Sequence, residues 1–178
     1  MKKHSLKSGK EVTIKEAVKE DAQKIIDFYN KVGGETIFLS FGENEFKRDL
    51  VEYENFLNAT KEEENSIILL IMDDVENIIS IASINSSQKP RTKHVGTLGI
   101  VIQENYWGLG LGKYLMIELI NWAKSNGTTK KIQLSCNEAN AKAIDLYKKV
   151  GFVEEGHIMQ DTFINGNYYN TTLMGLIL

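Results

Sequence analysis

Residues 94–136 place one amphipathic helical stretch between two alternating stretches, and this spacing constrains the fold more than any other feature. "HVGTLGIVI" (94–102) alternates as a strand. "KKIQLSC" (130–136) alternates again, with Ile132, Leu134 and Cys136 on one side. Between them Leu111, Leu115, Leu119 and Trp122 recur as one apolar helix face. A helix between two strands implies a parallel crossover inside a mixed sheet.

The remaining segments read as further strands and covering helices. "EVTIKEAV" (11–18) alternates as a first strand. "SIILLIM" (66–72) and "IISIASI" (78–84), joined by the acidic turn "DDVEN", read as antiparallel neighbours. "KEDAQKIIDFYNKV" carries Ala22, Ile25, Ile26, Tyr29 and Val32 at helical spacing and breaks at Gly33-Gly34. "GENEFKRDLVEYENFLNAT" resumes that spacing through Phe46, Leu50, Tyr53 and Leu57. "NEANAKAIDLYKKVGF" reads as a short helix ended by Gly151, and the stretch from Phe152 as a hairpin around Asn165-Gly166. The expected class is α/β, with one domain over residues 11–178 and an N-terminal tail over 1–10.

Composition narrows the function classes. The chain has 178 residues, 42% hydrophobic and 25% charged, enough for one core of a soluble globular domain. A net charge of −3 gives no case for nucleic acid. The single cysteine, Cys136, excludes an intramolecular disulfide and a cysteine-cluster metal site. "MKKHSLKSGK" lacks the apolar stretch of a signal peptide, and no apolar run approaches the ~18 residues of a membrane span. The expectation is a cytoplasmic protein with no membrane partner.

"ENYWGLGLGKYLM" (104–116) sets Gly108, Gly110 and Gly112 just before the helix, with Lys113 directly after. The dinucleotide fingerprint fails because Lys113 stands where its third glycine belongs. The ATP-type loop fails at Trp107 and at Tyr114. What survives is a strand–glycine–helix turn, which aims unpaired backbone N–H groups at an anion and lets a phosphate approach closely. Lys113 opposes the helix dipole unless an anion sits there. A tight turn without ligand is the plainer reading of the glycines alone.

The run I-x-I-x-x-x-Y-W-G-L-G-L-G-K, followed by a strand and then "NEANAKAIDLYKKVGF", resembles the GNAT superfamily of acetyl-CoA-dependent N-acetyltransferases. Gly110 and Gly112 match the glycines of that family's [QR]-x-x-G-x-[GA] loop. Asn140, Ala143, Tyr147, Gly151 and Phe152 match its N-x-x-A-x-x-x-Y-x-x-x-G-F segment. "VTIKEAVKEDAQKIIDFYN" is similar to the family's first strand and helix, and Trp107 departs from the usual Gln or Arg. The segment from Gly151 looks most like the branch holding phosphinothricin, ribosomal-protein and polyamine acetyltransferases. The implied fold is a mostly antiparallel mixed sheet flanked by helices, with the parallel crossover at the cofactor site.

The resemblance implies acetyl transfer from acetyl-CoA to a primary amine, on a small molecule or a protein, in a ternary complex. A non-catalytic acyl-CoA sensor is the alternative. Backbone groups of Leu98, Ile100 and Ile102 are expected to pair with pantetheine, and residues 108–113 (Gly108, Leu109, Gly110, Leu111, Gly112, Lys113) to seat the pyrophosphate. An N–H from Ile100 would serve as oxyanion donor. Tyr147 is the expected general acid, though Ile144, Tyr147 and Val150 also share a helix face as core residues do. Asn140 either caps its helix or bonds the cofactor. Thr97 fills a position where family members often carry an acid, which leaves Glu35, His94 and Asp161 as candidate bases. Glu35, Thr36, Phe38, Phe163, Tyr168 and Tyr169 are candidates for an acceptor cleft or, for the aromatics, sheet packing or a homodimer contact. No residue set points to a metal.

Overall fold

The computed structural model describes residues 1–178. Its strands are β1 (Lys2–Ser5), β2 (Glu11–Glu16), β3 (Ile67–Met72), β4 (Ile78–Ser86), β5 (Val95–Ile102), β6 (Lys131–Asn137), β7 (Val153–Ile164) and β8 (Asn167–Ile177). The helices are α1 (Ala22–Val32), α2 (Leu50–Glu62), α3 (Leu111–Ser125) and α4 (Ala141–Lys149). The strands form one sheet in the order β1-β2-β3-β4-β5-β6-β8-β7. Every neighbouring pair is antiparallel except β5–β6, which α3 connects by the expected crossover.

Strand alternation divides the apolar side chains between two cores. Ile68, Leu70 and Met72 of β3 pack with Ile25, Phe28 and Val32 of α1 and Leu57 of α2. Ile71, on the other face of β3, joins Leu111, Leu115, Met116, Leu119 and Ile120 of α3. Those α3 positions recur every three to four residues, so the helix buries one stripe and leaves Lys113 and Ile117 exposed. The Asn165-Gly166 turn closes the β7–β8 hairpin with both residues at positive φ (50° and 82°), the geometry that matches strand twist.

Two expectations need correction. Residues 1–10 are not a tail: Lys2–Ser5 pair with Glu11–Ile14 as β1, Leu6 is buried, and the His4 ring stacks on Tyr114 with centroids 3.6 Å apart. The second helix starts at Leu50, not near Gly42. Asp49 caps it by accepting from Glu52 N at 3.0 Å. Phe46 lies in the preceding loop, held by two hydrogen bonds to the Asn30 side chain and packed on Tyr29.

Candidate active site

The glycine turn presents donors with nothing to bind in the chain. No backbone N–H of residues 108–113 donates to a protein acceptor; the first helical donor is Tyr114, to Gly110 O at 3.2 Å. Gly108 and Gly110 hold φ of 74° and 86°, which turns the chain sharply into α3. Gly112 serves packing instead. A Cβ there would lie 3.3 Å from Leu146 Cδ2 and 3.4 Å from Ile102 Cδ1. Leu111 is buried in the core and Leu109 packs partly buried against it, so their side chains anchor the turn.

Beside this turn the sheet opens into a fork. β5 pairs with β6 only at Val95–Lys131, Gly96–Ile132 and Thr97–Gln133. On its other side β5 stays paired with β4 as far as Ile102. Gln103 N donates to Ile79 O at 2.9 Å, so odd positions face β4 and the main-chain groups of Leu98, Ile100 and Ile102 face the opening. The Ile102 carbonyl accepts the indole N–H of Trp107. Thr97 stands at the apex, its hydroxyl accepting from Gln133 Nε2 at 3.2 Å.

A cavity of about 590 Å³ begins at that apex. Phe38 from the segment after α1, Thr97, Cys136 and Asn137 of β6, and Glu155 and Asp161 of β7 are among its walls. A bulge aims Asp161 there: between the pairs Ile158–Thr171 and Thr162–Tyr169, residues 159–161 oppose Asn170 alone. Gln160 takes φ of 51°, and its N–H donates to Asn170 Oδ1 at 2.8 Å. The Asp161 carboxylate accepts from the Thr171 hydroxyl at 2.8 Å. Glu155, by contrast, is ion-paired with Lys131 at 2.7 Å.

Residues 27–152 match the acetyltransferase (GNAT) family. The chain belongs to the GNAT family. An acetyltransferase of that family from Streptococcus pneumoniae has the same fold, with a TM-score of 0.88 at 36% identity, covering 94% of this chain and 99% of that one. The spermidine N(1)-acetyltransferase of Vibrio cholerae is 33% identical over 78 residues, 44% of this chain and 45% of that protein. The L-amino acid N-acetyltransferase AaaT of Escherichia coli is 30% identical over 101 residues, 57% and 62% of the two chains. In these matches the chain spans about half the length of the curated relatives.

Within this GNAT fold the expected residues fall into separate places. Asn140 caps α4, its side chain accepting from Ala143 N at 3.2 Å. Tyr147 is half-buried against Phe152, and burial, with the Cys136 thiol beside it, pushes the phenol pKa well above the usual tyrosine value. Of the three candidate bases, Asp161 alone lines the cavity. Glu35 instead accepts from Glu104 N at 2.8 Å, tying the segment after α1 to the end of β5. His94 precedes β5 with its carbonyl accepting from Lys130 N and Lys131 N, and it is exposed.

The acceptor-cleft candidates also divide. Phe38 lines the cavity, whereas the Thr36 hydroxyl accepts from Phe38 N and shapes the turn. Phe163 and Tyr168 pack on each other near the hairpin tip, more than 60% exposed and away from the cavity. Tyr169, opposite Thr162, is half-buried on the other face of the hairpin. Trp107, by contrast, has a role that sequence reasoning missed: its departure from Gln or Arg still supplies an N–H donor, and that donor caps β5.

Proposed function

We propose that the chain transfers an acetyl group from acetyl-CoA to a small primary amine by direct attack in a ternary complex. The fork between β5 and β6, running into a turn of unpaired amides, is the observation that carries this reading. It offers an extended ligand a strand edge at one end and an anion site at the other. The free amides of residues 108–113 fit a pyrophosphate, and the open edge from Leu98 to Ile102 fits the amides of pantetheine. When bound, acetyl-CoA supplies an acetyl group activated as a thioester.

The protein's own groups then have distinct tasks. Asp161 takes the proton that the acceptor ammonium must lose, directly or through a water held by the Thr97 hydroxyl. The Ile100 N–H, facing the fork, donates to the carbonyl oxygen as negative charge builds there. Tyr147, kept protonated by burial, returns a proton to the departing sulfur. Of the two charged side chains that line the cavity, Glu155 is paired with Lys131 and Asp161 has no ion-pair partner, and that uncompensated carboxylate favours a cationic amine as acceptor. That preference fits the spermidine named for one relative better than the L-amino acids named for the other. A non-catalytic sensor, which Thr97 in place of an acid would favour, does not account for a carboxylate aimed at the fork.

The test is thiol release from acetyl-CoA across a panel of polyamines, amino acids and peptide N-termini. Acceptor-stimulated release, with polyamines or other carboxylate-free amines ahead of amino acids, is expected. Binding of acetyl-CoA with no release for any amine would leave the sensor reading in its place.

A further inference from the structure

The N-terminal hairpin lies against the glycine turn. Leu6 is buried in the core beneath α3, His4 stacks on Tyr114, and Lys2 Nζ sits 2.7 Å from Glu118 Oε2. At the hairpin's own turn, Lys7 N donates to Leu109 O at 3.3 Å. The Lys7 side chain then runs along Gly110: its Cγ, Cδ and Cε lie 3.5, 3.5 and 3.2 Å from the place a Cβ on Gly110 would occupy. A side chain at position 110 would displace that stem, so the glycine leaves room for a lysine as well as for a turn.

The charges of this hairpin are unequal in their partners. Lys2 is paired with Glu118, and Lys3 with Glu11. Lys10 stands over the Tyr106 ring and shares a small cavity with Glu11, Asp73 and Asp74. Lys7 has no ion-pair partner among these bridges. An uncompensated ammonium held by its stem against a turn of free amides is arranged for an anion that both would share.

We propose that Lys7 is a cofactor-binding residue, its ammonium meeting the pyrophosphate that residues 108–113 seat, so that the N-terminal hairpin forms one wall of the cofactor site. The inference rests on the loop assignment made above. It adds a charged contact from a segment outside residues 27–152, which match the family.

Titration calorimetry with CoA, dephospho-CoA and S-acetylpantetheine tests it, on the full chain and two variants. Lys7→Met keeps the stem and removes the charge; Lys7→Arg restores it. A charge-assisted contact predicts that Lys7→Met weakens CoA and dephospho-CoA alike by roughly tenfold, with a shallower salt dependence. S-acetylpantetheine, which has no pyrophosphate, binds unchanged, and Lys7→Arg recovers most of the loss. Equal affinity in a folded Lys7→Met protein overturns the proposal. So does a loss confined to CoA, which would place Lys7 on the 3′-phosphate, or a loss extending to S-acetylpantetheine, which would mean a distorted fork. Gly108→Asp separates this from the loop assignment. Position 108 is open to solvent and aspartate tolerates its positive φ, so the change adds little but a negative charge. If Gly108→Asp weakens CoA and Lys7→Met does not, the loop stands without Lys7; if neither does, the loop assignment itself fails.

Discussion

The indole N–H of Trp107 donates to the carbonyl oxygen of Ile102 at 2.6 Å. This bond satisfies the last fork-facing acceptor of β5 and fastens the strand end to the glycine turn. Trp107→Phe keeps an aromatic ring and loses the donor. The loss of one such bond predicts a weakening of CoA binding by about twofold to tenfold. Trp107→Gln, which returns a donor, should recover part of it. Unchanged CoA affinity in the Phe variant would mean that the turn holds its shape without the bond.

Asp161 should dominate the acceptor's proton transfer. Asp161→Asn is expected to lower turnover by ~10²–10⁴ with acetyl-CoA affinity preserved. Glu35→Gln and His94→Gln should stay close to wild-type turnover, since neither side chain lines the cavity. Thr97→Asp, added to Asp161→Asn, sets a carboxylate at the apex and should restore part of the rate. Steady-state kinetics on the four proteins decides the matter, and a severe loss in Glu35→Gln or His94→Gln would contradict the assignment.

Tyr147 links turnover and alkaline stability. Tyr147→Phe should reduce turnover by at least about tenfold while changing cofactor affinity little. Burial raises the phenol pKa in the folded state, so the neutral form is the one the fold favours. The resulting stabilisation is complete below about pH 10, the unfolded value, and is lost as pH climbs towards the folded one. Urea unfolding at neutral pH and at pH 11 should therefore show a larger alkaline loss for wild type than for Tyr147→Phe. Parallel losses would place the phenol in solvent.

Cys136 should behave as a buried strand thiol, although it lines the cavity. Burial pushes its pKa from 9.0 up to about 11. At a fixed pH below both values, the thiolate population should be about a hundredfold smaller than in the unfolded chain. Iodoacetamide labelling of native against urea-unfolded protein measures this ratio. Cys136→Ala should retain most turnover, and loss of turnover with trapping of an acetylated thiol in wild type would favour a covalent route instead.

Regular periodicity made most of the sheet and α3 legible, because alternation and the helical stripe report burial directly. The crossover, the Asn165-Gly166 turn and the range 108–113 were all written locally. β1 was not, because "KKHS" has no apolar alternation. Its place is set by pairing with β2 and by His4 meeting Tyr114, both tertiary events. Phe46 misled because its spacing from Leu50 mimics a helix face, while the Asp49 cap sets the true start. Asp161 could be named as a candidate but not chosen. Its aim depends on positive φ at Gln160, a bulge that no residue type there announces. Glu35 is bound by a group 69 residues away, which no local pattern records.

The three residue pairs between β5 and β6 leave the sheet as two leaves, β1–β5 and β6–β8, stitched along a short seam. Both leaves rest on the core beneath α3, yet their backbones are joined over only that length. A ligand lying in the fork would act as a splint, lending each leaf the hydrogen bonds that the other does not supply. Binding would then be felt as stiffness across the whole sheet. Amide exchange from Leu98 to Ile102 should slow on CoA binding by more than at the outer strands, and opening of the two leaves should merge into a single cooperative event.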